Sequence, residues 1–234
     1  MLFKPNKDDI AAGLNFACAV LGIGSLAMGR NFGRAGFWPG TIALMLMFSI
    51  NLYSTVALSK CMRMTPAHVR TYGDLGEHVG GAFGRYAVIV TQFGTCLILP
   101  IAFLVLGGNT LLPYIFKIGA ANVYIPLMAI TLLPVVLIRT LKEAAWAALL
   151  GTAGAVFGDV FAVIDSMMTE TVHHSEPKLD IDNVLCVFGS MTMAFGGAVV
   201  VPAIQREHAN PERMPTIVLF VLLIITLAYF FIGL

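Results

Sequence analysis

Residues 10–29 read IAAGLNFACAVLGIGSLAMG, and the reading of this stretch decides the fold. It carries no charge, and a run of about 20 such residues is long enough to cross a bilayer as a helix. Near its middle, however, stand Gly22-Ile23-Gly24-Ser25. Two glycines one residue apart are poor helix material, each costing about 1 kcal/mol against alanine. At membrane depth a helix break is tolerated only where the freed N–H and C=O groups face protein, water or a ligand instead of lipid.

A second break of the same kind falls at Phe195-Gly196-Gly197, inside the uncharged run 183–205. Glycine-interrupted spans at matching positions in two halves of a chain are the sequence mark of a transporter's binding site. The rest of the composition agrees with a membrane setting. The chain is 58% hydrophobic and only 12% charged, which excludes an ordinary soluble domain. No basic run is interleaved with aromatics, so nucleic acid is not an expected partner, and the net charge of +1 adds nothing to the contrary. Uncharged runs predict seven spans, at 10–29, 37–59, 86–112, 118–138, 144–165, 183–205 and 214–234. Pro100 predicts a kink in the third, and Asp159 interrupts the fifth. The first run is too long for the apolar core of a signal peptide, and Asp8-Asp9 do not suit one. Cys18, Cys61, Cys96 and Cys186 lie in or beside spans and indicate no disulfide framework.

Charge sets the expected orientation. With the N-terminus in the cytoplasm, ten Lys and Arg fall on inner segments: Lys4, Lys7, Lys60, Arg63, Arg70, Arg85, Arg139, Lys142, Arg206 and Arg213. Four fall outside: Arg30, Arg34, Lys117 and Lys178. The positive-inside rule favours that arrangement. The longest polar connection, 60–85, holds Tyr72 to Val79, which predicts a short interfacial helix. In the loop 206–215, Asn210-Pro211 reads as a helix start with asparagine as cap.

The chemistry at the breaks suits an amino acid. Free N–H groups at an unwound stretch point at a carboxylate, and free carbonyls accept from an ammonium. Small residues let such a ligand approach the backbone. Gly22, Ile23, Gly24 and Ser25 meet that demand at the first break. Ala194, Gly196 and Gly197 meet it at the second, with Phe195 as an aromatic wall. Close helix packing is the competing explanation for the same glycines. A nucleotide-binding loop fails on spacing and on context. Asp159 is an intramembrane carboxylate and hence a candidate for carrying a coupled proton, the alternatives being an outer vestibule or a cationic partner. Adjacent His173-His174 beside Glu176 are weak grounds for a metal, and none is expected. No cofactor and no covalent chemistry are called for, so the chain is not expected to be an enzyme.

Two stretches resemble the amino acid/auxin permease family, within the amino acid–polyamine–organocation superfamily. Gly22 to Gly36 is similar to the family's first-helix pattern, and Phe195 to Gln205, continued by Asn210-Pro211, is similar to its sixth helix and following loop. Weaker echoes are Tyr72-Gly73-Asp74-Leu75-Gly76 and Ala148-Leu149-Leu150-Gly151-Thr152. The resemblance implies an all-α integral membrane protein, a LeuT-type inverted-repeat bundle truncated to about seven transmembrane helices. It implies a cytoplasmic N-terminus over 1–9, a first five-helix repeat over 10–165, an outer loop over 166–182 and two helices of a second repeat over 183–234. The implied activity is secondary active transport of amino acids by alternating access, in a plasma, vacuolar or lysosomal membrane. Gly29 stands where the family usually has proline. Cys18 stands where its sodium-coupled members place asparagine, which leans towards proton coupling or none. Because family members have about eleven spans and Leu234 ends flush with a span, the chain is expected to be a fragment that does not transport alone. The alternatives are a non-transporting membrane partner and a seven-span receptor.

Overall fold

The structure, a computed structural model, describes residues 5–21, 23–66, 68–69, 71–106, 108, 121–137, 141–168 and 181–233. Those residues are almost entirely helical, and no strand occurs among them. The order is α1 (Lys7–Val20), α2 (Ile23–Leu26), α3 (Met28–Ala35), α4 (Phe37–Met64), α5 (Tyr72–Leu106), α6 (Ala121–Val136) and α7 (Leu141–Met168). It continues with α8 (Ile181–Ala194), a 3-10 turn Gly196–Val200, α9 (Val201–Glu207), a second 3-10 turn Pro211–Arg213 and α10 (Met214–Gly233).

Among the described residues, four stretches are long and apolar enough to cross a membrane. They are Phe37–Met64, Tyr72–Val105, Ile181–Glu207 taken through its break, and Pro211–Gly233. The fourth and fifth expected spans supply shorter apolar helices, Val123–Leu133 and Trp146–Phe161. The first expected span is cut into α1, α2 and the start of α3, so no single helix there has crossing length. Large apolar side chains such as Trp38, Tyr53, Phe93 and Trp146 stand exposed, as a lipid-facing surface requires.

The chain divides into two compact units, residues 1–66 with 145–234, and residues 67–144. In the second unit, a helix begins at Tyr72 as predicted, and α5 carries it past a break into the third span. Thr71 and Asp74 cap it reciprocally: the Asp74 carboxylate accepts the Thr71 N–H at 3.0 Å, and the Thr71 hydroxyl accepts the Asp74 N–H at 3.1 Å. The break in α5 falls at Gly80 and Gly81, and Gly81 has φ 60°, ψ −154°, a conformation essentially reserved for glycine. There the chain doubles back, Gly76 against the Gly84 backbone, with Arg85 paired to Glu77. Pro100 lies within α5, whose residues outside helical dihedrals are Gly80 and Gly81.

In the first unit, α10 lies against α1, α3 and α4, and α8 against α3 and α4. Its buried stripe Val218, Leu222, Ile225 and Tyr229 recurs at steps of four and three, the spacing of one helix face. One end is tied by charge. Asp9 sits in the first turn of α1 and is buried, where it also offsets the helix dipole. One of its oxygens accepts from the Asn6 N–H at 2.8 Å and from Arg213 at 2.6 Å. The other oxygen lies 3.0 Å from His208 Nε2. His208 Nδ1 accepts the Asn210 N–H at 3.0 Å, so the ring proton belongs on Nε2, aimed at Asp9. Asp9 Oδ1 and His208 Nε2 are buried and face one another without forming a well-aligned hydrogen bond. Asn210 precedes the helical turn as expected, but it makes no side-chain cap and spends its N–H on the histidine. Arg63 and Glu212 add an exposed pair at 2.8 Å, which carries little energy.

Gly81→Ala is expected to lower stability by about 1–3 kcal/mol, because the substituted residue must hold a strained conformation. Gly80→Ala, with negative φ and open space around it, should change it far less. Thermal unfolding of the detergent-solubilised protein, followed by circular dichroism, checks both. Asp9→Ala removes the common acceptor of a buried cluster and should cost about 3 kcal/mol. Glu212→Ala, at the exposed pair, should fall within about 1 kcal/mol of the unmodified protein in the same assay.

Candidate functional site

The first break arises because Leu21 leaves helical space, with φ −72° and ψ 120°. A helix end leaves its last four carbonyls without intrahelical donors, and Val20 supplies one of them. The second break follows the same logic. α8 ends at Ala194, Phe195 turns with φ −96° and ψ 13°, and the tighter 3-10 turn takes over. The Gly197 N–H bonds to the Phe195 carbonyl at 2.7 Å.

One side chain reaches both freed carbonyls. The Tyr229 hydroxyl of α10 lies 2.9 Å from Val20 O and 3.3 Å from Ala194 O. Its ring is fully buried and packs edge-on against Phe195, with centroids 5.5 Å apart and planes at 76°. The two breaks therefore meet within the first unit around a single phenol.

The glycines set how closely they meet. A Cβ placed on Gly24 would stand 2.5 Å from Ala194 Cβ and 3.2 Å from the Tyr229 oxygen. On Gly197 it would collide with Val20 and with the Phe16 ring. Gly196 faces open space. In this structure Gly24 and Gly197 thus serve close packing of one broken helix on the other. Nearby, Cys18 lies against Gly151 of α7, its Sγ 3.2 Å from a Cβ built there.

Asp159 comes from α7 and is buried. It shares a hydrogen bond with Ser25 of α2, itself 1% exposed, and lies within electrostatic reach of Tyr229. The carboxylate that interrupts the fifth span is thereby tied to the first break.

Of the residues singled out by sequence, Gly24, Ser25, Ala194, Phe195, Gly197 and Asp159 come together here. Gly196 lies beside them on the open side. Ile23 opens α2, with its side chain outside the described residues, and Gly22 lies outside them altogether. So do His173, His174 and Glu176. Arg30 and Arg34 are exposed on α3. Tyr229 was missed. Its signal is present in the sequence: in the apolar run 214–233 the only side chains carrying a hydrogen-bonding group are Thr216, Thr226 and Tyr229. Of these, Thr226 bonds its own helix, at the Leu222 carbonyl.

Known proteins give the same family. The family model for the transmembrane amino acid transporter protein matches residues 9–234. The amino acid transporter AVT1E of Arabidopsis thaliana is 24% identical over 237 aligned positions, covering 95% of this chain and 43% of that protein. AVT1C from the same plant is 23% identical over 231, covering 93% of this chain and 40% of that protein. A shorter match to AVT1I reaches 31% over 93 residues, 40% of this chain and 22% of that protein. The chain spans about two fifths of the length of the first two relatives. No solved structure matches it. With four apolar stretches of crossing length and a family match over nearly its whole length, the chain is an integral membrane protein belonging to the transmembrane amino acid transporter family, a family of transporters and not of enzymes.

Proposed function

We propose that this chain acts in secondary active transport of amino acids by alternating access, with the substrate held at the two helix breaks. The observation that carries the reading is the meeting of the breaks. Carbonyls from two helix ends converge on one point, with Tyr229 within 3.3 Å of both, and an ammonium needs such acceptors. The carboxylate would be met by N–H groups at the breaks, chiefly around Gly22-Ile23-Gly24-Ser25 and Gly196, the Gly197 N–H being held by Phe195. Phe195 walls the site. The names of the relatives, all amino acid transporters, support the substrate class.

The same reading takes the fold as LeuT-type, with seven spans in a lipid bilayer and the N-terminus in the cytoplasm. Support for a common side comes from the ionic contacts. Asp9 with His208 and Arg213, and Arg63 with Glu212, draw the N-terminus and the loops after α4 and α9 to one end. These are three of the segments that the Lys and Arg count groups inside. Asp159 is the proposed carrier of a coupled proton. Its bond to Ser25 places a protonatable group on the backbone turn that would hold the substrate, so loading one would be felt at the other.

Purified protein in nanodiscs should bind radiolabelled amino acids saturably, with displacement by excess unlabelled ligand. Absence of displaceable binding across all the common amino acids would falsify the reading. For the proton, affinity in the unmodified protein should rise as pH falls, since proton and substrate favour one another in a symporter. Asp159→Asn, which mimics the loaded group, should hold one affinity across the same pH range. Identical pH profiles for the two proteins would remove Asp159 from the coupling role.

A further inference from the structure

We propose that the Tyr229 hydroxyl is an internal stand-in for the substrate's ammonium: it closes the two breaks onto each other and must release them when an amino acid binds. This rests on the substrate reading above. Val20 O and Ala194 O are carbonyls at helix ends, which burial away from water makes costly to leave unpaired. Before any ligand arrives they need a donor, and among the described residues Tyr229 reaches both.

A phenol carries one proton. It can serve one carbonyl well and the second only in part, which is the pattern of 2.9 Å and 3.3 Å. An ammonium carries three donors and a charge, so it can satisfy both carbonyls at once with stronger bonds. The two therefore compete for the same oxygens, and the ligand holds the advantage. Tyr229 sits on α10, outside both broken helices, and its release would free the breaks to part.

The sign of the test follows from competition. Tyr229→Phe keeps the ring against Phe195 and deletes the competing donor. Without ligand, amide hydrogen exchange should quicken at both breaks together, at residues 21–25 and 195–198. Amino acid affinity should increase about fivefold, since a net hydrogen bond is worth that order. Analogues lacking the amino group should gain nothing, because they make no claim on the carbonyls. A bolt with a purely structural role would predict faster exchange with affinity unchanged, and that result overturns the proposal. Weaker amino acid binding overturns it too, since it would make the hydroxyl a direct ligand contact. If the unmodified protein binds no amino acid, the substrate reading fails by itself. The exchange measurement then still decides whether Tyr229 ties the two breaks, and unchanged exchange at either one rejects the tether.

Discussion

Everything in the first unit is arranged around backbone groups that two broken helices leave without partners. A continuous helix carries its own hydrogen bonds through lipid, and a broken one does not. The breaks after Val20 and after Ala194 are therefore possible only because something else supplies donors. α10 supplies them. Its buried stripe sets the rotation of the helix, and that rotation delivers Tyr229 to the carbonyls of Val20 and Ala194. Small residues do the remaining work, letting α2 come against Ala194 and the 3-10 turn come against Val20. Asp9 closes the far end, tying the start of α1 to the segment that leads into α10. The two helices that break are thus each held by elements that do not.

Much of this was legible in the sequence, and the reason differs from place to place. The breaks were legible because glycine pairs conflict with helix propensity inside uncharged runs, and such conflict is local. The second appears where its glycines stand, at Phe195-Gly196-Gly197; the first opens at Leu21, and Gly24 and Ser25 lie in α2. The helix at Tyr72 was legible from the stretch Tyr72 to Val79 only in part, since its continuation through Gly80-Gly81 into the third span depends on a turn that no run of hydrophobicity reveals.

Contacts between distant residues were not legible. Asp159 could be recognised as an anomaly in an apolar run, yet Ser25 lies over a hundred positions earlier, and nothing in either segment names the other. Tyr229 is the sharper case. A tyrosine in an apolar helix ordinarily reads as packing, and its role appears only when two carbonyls from two other helices are placed beside it. Asp9, set aside in the sequence as a mere obstacle to a signal peptide, becomes a shared acceptor once His208 and Arg213 are brought back to it across the fold.

The glycines admit two explanations, packing and ligand approach, and the geometry shows why these do not exclude each other. In this structure Gly24 and Gly197 have neighbours where side chains would stand, so they serve packing. A site closed in this way has no room between its two walls. A ligand held by both breaks must first move them apart, and the loss of that tight contact opposes binding. Alternating access needs such opposition, because a transporter whose empty breaks stood open would gain nothing by rearranging around its substrate. Binding energy can shift a conformational balance only by the difference between its hold on the two states. On the proposed reading, the contact of Gly24 with Ala194, and the phenol that fastens it, would supply the state that a substrate disfavours. Replacing either glycine by alanine would therefore alter the closed state before it altered the ligand, which is why packing and binding converge on the same residues.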